Sequence, residues 1–195
     1  MREMISMVVV LTCLASLSGG LLAAIKTGTE QRIEEQVLKF QKAPAIAQIF
    51  TDVSNDPLAE RFNIEKEDTK LQFFPGKLED GTTAVAFETK GKGGYGGDVG
   101  LMVGINTETD QIIAARVTTH VETPGLGSKA KDDPAFVSQF DNLSMESDNL
   151  DLSNNDGSID AMSGATVTSQ AVCNAAMEAQ KLYKKFKPEI LEQIQ

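Results

Sequence analysis

The chain has 195 residues, 41% hydrophobic and 24% charged, with a formal net charge of −10. That length supports one ordinary domain with its own core rather than two, and an acidic chain with no basic patch excludes nucleic acid as a partner. The lone histidine, His120, and the widely separated Cys13 and Cys173 offer no metal-ligand cluster, so no metal site is expected.

The first element is a run of 21 uncharged residues, Ile5 to Ile25, bounded by Arg2 and Glu3 before it and Lys26 after it. As a helix it spans roughly 30 Å, the thickness of a bilayer's hydrocarbon core. Ser16, Gly20 and Ala24 recur at four-residue spacing, which leaves room for a neighbouring membrane helix. A cleaved signal peptide is the competing reading. The run is longer than an ordinary signal core and its positive flank is thin, which favours a retained anchor over residues 1–26. Lys26, Arg32, Lys39 and Lys42 follow the span, and counting positive charges would keep the following domain in the cytoplasm.

Thr27 to Gln41 reads as a helix, with Ile33, Val37 and Phe40 near one face, interrupted at Pro44 and resumed from Ala45 to Phe50. Residues 27–55 are thus expected to form a helical stalk, and Asn55 to Pro57 a loop. From Leu71 the apolar period changes to two. Thr83 to Glu88 reads as a strand; Val99 to Asn106 and Ile112 to His120 read as a hairpin. Pro134 to Phe140 reads as a short helix, and Asn142 to Asp160, rich in acidic residues, Asn and Ser, as surface loop. Thr168 to Lys185 is the clearest helix of the soluble part, packed through Val172, Ala176, Ala179 and Tyr183. Lys181, Lys184, Lys185 and Lys187 load its C-terminal end, complementing the helix dipole. Short turns between strands imply an antiparallel sheet. The expected class is α+β: one N-terminal transmembrane helix, then a globular domain over 56–195 with a twisted antiparallel sheet flanked by helices.

Three segments hold candidate chemistry. The stretch Gly91-Lys92-Gly93-Gly94-Tyr95-Gly96-Gly97 lacks the Ser or Thr of a phosphate-binding loop and precedes a strand rather than a helix, so a flexible turn is the simpler reading. Tyr95 within it is a candidate contact for a flat ligand. His120 to Gly127 follows a strand. Its Pro124-Gly125 pair encodes a turn, Gly125 and Gly127 let backbone approach a ligand, and His120 with Glu122 offers an acid–base pair. Asp160-Ala161-Met162-Ser163-Gly164-Ala165-Thr166 stands just before the last helix. Thr166 there is either the helix cap or a hydroxyl bearing a phosphate, since amides at a helix start favour negative charge. Thr168 or Ser169 could serve as the cap instead.

Asp160, Ser163, Gly164, Ala165 and Thr166 together resemble the flavinylation motif Asp-x-x-Ser-Gly-Ala-Thr of covalent FMN-binding domains. Gly94-Tyr95 to Asn106 and the Glu-Thr-Pro-Gly-Leu-Gly core of residues 122–127 resemble the same family. The match is best with the G subunit of the Rnf ion-translocating electron-transport complex, to which the C subunit of the sodium-pumping NADH:quinone oxidoreductase is a longer relative.

The resemblance implies that Thr166 carries FMN through a phosphoester, attached by a separate magnesium-dependent flavin transferase with FAD as donor. Asp160 is then a recognition residue for that enzyme, and Ser163, Gly164, Ala165 and Thr168 flank the cofactor's attachment point. A tethered cofactor also cannot be lost by dilution. The turn Thr123 to Gly127, with Glu122, is expected to bed the flavin, with Leu126 against the ring and Lys129 near charge on the reduced flavin. The implied role is electron relay within a membrane complex that couples ferredoxin/NAD-type electron transfer to ion translocation, with other membrane subunits as partners and no complete active site of its own. The family places the domain on the outer face of the cytoplasmic membrane, against the charge count. The alternatives are an anchored flavin-binding module outside any ion pump, and a hydrolase with Thr166 as nucleophile.

Overall fold

A computed structural model describes residues 1–51, 53–67, 69–79 and 81–194. The chain divides into two compact units, Met1–Phe40 and Gln41–Gln195. The first consists largely of α1 (Arg2–Val37), with no buried residue. This helix is long and apolar enough to cross a membrane. A π-helical turn, Leu38–Lys42, follows it, and α2 (Ala43–Ile49) comes next. The regular α-helix gives way before Pro44, which occupies the first turn of α2, where a missing N–H is tolerated.

The second unit is built on a five-stranded meander: β1 (Phe62–Lys66), β2 (Thr69–Lys77), β3 (Thr83–Gly91), β4 (Val99–Asn106) and β5 (Gln111–Val117). Every neighbouring pair is antiparallel. The expected α+β class and the β4–β5 hairpin are both present, but β5 stops at Val117, three residues short of His120. Two short helices, α3 (Lys129–Asp132) and α4 (Pro134–Val137), precede the long α5 (Thr166–Ile194).

Alternation along the strands sorts side chains to two faces. The row Phe73, Phe87, Val103 and Ala115 runs across β2 to β5 and joins the main core with Val172, Ala176, Ala179 and Tyr183 of α5. The opposite row, Phe74, Ala86, Gly104 and Ala114, narrows to small residues. There α2 packs on β4 and β5. A Cβ on Gly104 would run into the Ile49 side chain, so glycine at this position lets α2 seat closely. Ala45, Ile46, Ile49 and Phe50, grouped with the stalk in the sequence reading, are buried in this second layer. Each large side chain so buried contributes about 1.5–3 kcal/mol.

The segment 142–160 departs from the expected surface loop. Met145, Leu150, Leu152 and Ile159 insert into the main core, and the outer rim of β5 is bonded by this segment through Ile112 N–H to the Leu143 carbonyl at 2.9 Å.

Helix α5 is longer than its sequence signal and starts two residues earlier. Its lysines do more than complement a dipole, because they lie well before its end. Lys187 pairs with Asp110 at 2.6 Å and Lys185 with Glu67 at 2.7 Å. The Tyr183 hydroxyl donates to Asp110 at 2.7 Å. Burial, reinforced by that carboxylate, pushes the Tyr183 hydroxyl pKa well up and keeps it a donor. The Cys173 thiol, in the middle of α5, is raised to about 12 by burial first and by Asp151 second, which makes it an inert packing group.

Candidate functional site

Three segments distant in sequence meet in the globular unit: the glycine-rich turn after β3, the loop after β5, and the start of α5. Glu122 joins them. It is 5% exposed; its Oε1 accepts the Gly96 N–H at 2.9 Å and its Oε2 accepts the Thr168 hydroxyl at 2.5 Å. The Glu122 N–H donates to His120 Nδ1 at 3.3 Å. Among the described residues no bond joins the His120 ring to the Glu122 carboxylate, so the expected acid–base pairing is not formed. A buried carboxylate satisfied in this way acts as a clamp between segments.

Close packing around the clamp depends on missing side chains. A Cβ on Gly96 would run into the Val121 carbonyl, so the turn can lie on the loop backbone only with glycine there. Gly127 is buried, and the nearest atoms on its open side belong to Thr168 and Glu122. The loop itself is closed at the Thr123 carbonyl, which accepts the N–H groups of Leu126 and Ser128, both at 3.2 Å. The Gly125 N–H donates to Ser128 Oγ at 2.9 Å.

The segment before α5 is equally fixed. The Ala165 N–H donates to the Met162 carbonyl at 3.0 Å. Buried Ser169 accepts the Met162 N–H at 3.0 Å and donates to the Ala165 carbonyl at 3.0 Å. Gly164 has φ +77°, a conformation that disfavours a side chain, and Leu126 Cδ2 lies 3.8 Å from where its Cβ would be. Thr166 is the first residue of α5, so neither it nor Thr168 nor Ser169 precedes the helix as a cap. Ala165 precedes it, and its methyl group offers no acceptor to the orphan N–H groups of the first turn. Thr166 is exposed, and its hydroxyl has no bond to any described residue.

Four large apolar side chains of the globular unit are left exposed among the described residues: Tyr95 at 80%, Val121 at 77%, Leu126 at 49% and Val167 at 51%. All lie on the three segments that Glu122 joins. Single exposed apolar residues are ordinary, but their concentration here makes this the apolar surface of the globular unit among the described residues. Thr123, Lys129, Asp160 and Ser163 are also exposed, while Ala165 and Thr168 are buried. The structure thus brings Tyr95, Leu126, Gly164 and Thr166 to the surface around the buried Glu122, Gly127 and Thr168.

Sequence reading missed Val121 and Val167 as part of this surface; Ser169, offered there only as a cap, instead braces the turn before α5. Val167 carried a usable signal, since it is apolar yet lies off the helix stripe of Val172, Ala176 and Ala179.

A family model described as the FMN-binding domain matches residues 94–181, which contain the loop after β5, the start of α5 and the glycine-rich turn from Gly94 on. The G subunit of the ion-translocating oxidoreductase complex of Pasteurella multocida is 31% identical over 180 residues, covering 88% of this chain and 89% of that protein. Its counterpart of the same name from Stutzerimonas stutzeri is 34% identical over 130 residues, and the match spans 64% of this chain and 56% of that protein. The crystal structure of the C subunit of the Na(+)-translocating NADH-quinone reductase from Parabacteroides distasonis shares the fold, with TM-score 0.52 and 22% identity over 60% of this chain and 63% of that one. The chain belongs to the family of G subunits of ion-translocating oxidoreductase complexes.

Proposed function

We propose that this chain is an electron-relay subunit of a membrane complex that couples electron transfer to ion translocation, and that its redox group is FMN esterified to Thr166. One observation supports this above the others: a threonine hydroxyl with no bond to any described residue opens a helix of 29 residues beside the exposed apolar side chains of the globular unit. The residues fit the group at both ends. Uncapped amides and the helix dipole favour a phosphate at Thr166. Tyr95, Val121, Leu126 and Val167 offer apolar surface to a flat ring. When bound, FMN supplies the electron-accepting and electron-donating chemistry. The chain holds the phosphate end, limits the ring to one surface and sets the charge around it, with Lys129 as the exposed cation on the neighbouring helix.

On this reading residues 1–26 anchor the chain and the flavin lies on the outer face of the membrane; of the stalk expected over 27–55, the residues from Gln41 on belong instead to the globular unit that holds the flavin. A separate flavin transferase loads the cofactor from FAD with magnesium, since among the described residues no side chain bonds to the Thr166 hydroxyl as a base would. Other membrane subunits complete the electron path. The test is the mass of the peptide holding Asp160 to Thr168, from cells with the transferase. The wild type gains the mass of an esterified FMN and Thr166→Ala does not. Flavin retained on Thr166→Ala after denaturation refutes the proposal. Protease protection in sealed vesicles of known orientation tests the sidedness, and co-purification of redox subunits in mild detergent tests the partners.

A further inference from the structure

Asp160 occupies an unusual position. The residue before it, Ile159, is fully buried in the core, while Asp160 is exposed and its carboxylate bonds to no described residue. Its main chain, by contrast, is gripped by one side chain. Gln139 Oε1 accepts the Asp160 N–H at 2.8 Å, and Gln139 Nε2 donates to the Asp160 carbonyl at 3.2 Å. One amide thus satisfies both backbone groups of one residue, as a neighbouring strand would, and fixes the peptide planes on both sides of its Cα. The grip is anchored, because Gln139 sits in a 3₁₀ turn (Ser138–Phe140) between the buried Val137 and Phe140. Beyond Asp160 the chain is held again where Ser169 accepts the Met162 N–H.

We propose that Gln139 is a positioning residue for flavin attachment: by gripping the Asp160 backbone it presents the Asp160 carboxylate to the modifying enzyme in register with the Thr166 hydroxyl. The inference rests on the reading that Thr166 is the acceptor. In the step concerned, the Thr166 oxygen bonds to the FMN-side phosphorus of FAD. The phosphoanhydride P–O bond breaks, AMP leaves, and the hydroxyl proton passes to a base of the transferase. An enzyme that recognises a short segment must otherwise order it at the moment of binding, which weakens the encounter. Gln139 removes that cost in advance.

The test is transfer kinetics with full-length chain, purified transferase, FAD and magnesium, read by intact mass. Gln139→Ala is expected to lower kcat/KM for the protein substrate about tenfold, the effect of losing two neutral hydrogen bonds. The loss falls mainly in KM, the final modified mass is the same, and the melting profile stays cooperative. Gln139→Glu keeps the acceptor but turns a carboxylate oxygen towards the Asp160 carbonyl; it is also slow, and is read instead if the alanine variant does not fold. In the Asp160→Asn background, Gln139→Ala adds no further slowing, because both act through one group. Wild-type kinetics in both Gln139 variants, or a full additional loss in the double variant, overturns the positioning role. Failure of the wild type to be modified, or modification of Thr166→Ala, strikes instead at the acceptor assignment.

Discussion

Replacing Glu122 by alanine tests how the three site segments are held together. The substitution removes two hydrogen bonds to a buried carboxylate, from the Gly96 N–H and the Thr168 hydroxyl. Bonds of this charged kind contribute roughly 1.5–3 kcal/mol each. The freed side-chain entropy returns about 1 kcal/mol, so the net loss is about 2–5 kcal/mol. For a domain of this size each kcal/mol shifts Tm by roughly 2–4 °C, which puts the melting temperature down by roughly 4–20 °C. Glu122→Gln is the control. Its carbonyl oxygen still accepts from Gly96, and the Thr168 hydroxyl can turn to accept from the new amide, so the cost is about 1 kcal/mol. Circular dichroism melts of the detergent-solubilised chain give both numbers. If the alanine variant melts within about 2 °C of the wild type, or the glutamine variant is as damaged as the alanine one, Glu122 does not hold the segments together.

The remaining predictions concern packing and pH. A Cβ on Gly91 would run into the Ala171 carbonyl and lie 2.7 Å from the Ala175 nitrogen, both backbone of α5; Gly91→Ala is therefore expected to cost about 2–3 kcal/mol, read from the urea midpoint. Asp141 has a buried Oδ1 with no partner among the described residues. Burial raises its carboxyl pKa above the ordinary 3.8, with Arg116 pulling the other way. A carboxyl raised in the folded state destabilises the fold when ionised, so the penalty is full above the folded pKa and gone below 3.8. Asp141→Asn should therefore be more stable than wild type at pH 7, with the advantage fading in acid. An equal gain in acid and at neutrality would refute the ionisation argument.

Parts of this molecule are open to sequence reading because their signal is local. Val99 to Asn106 is an apolar run ended by the turn at Thr107, and the strand has those limits. The strand read through His120 ends at Val117, and beyond it, among the described residues, only Thr118 and Thr119 still bond to β4, both through Gly100. The strand β1 offers only Phe62 and Ile64 in a polar setting, too weak an alternation to be recognised. In 142–160 the buried Met145, Leu150, Leu152 and Ile159 follow no period, so polar composition hides a segment of core. The exposed position of Thr166 near the start of the last helix was legible from the small residues before it. The clamp was not, since Glu122 joins partners 26 and 46 residues away, a relation that only the fold creates.

The order of the meander has a further result for self-association. A sheet in this order has two rims through which identical chains could add strand to strand into fibrils. The rim at β5 is already occupied by the segment around Leu143. The rim at β1 is only five residues long, shows Asn63 and Glu65 to solvent, and ends at Glu67, whose φ of 49° turns the backbone out of the extended form. A short, charged and abruptly ended rim is a poor template for a second copy of the chain, so this sheet is a poor polymerisation seed.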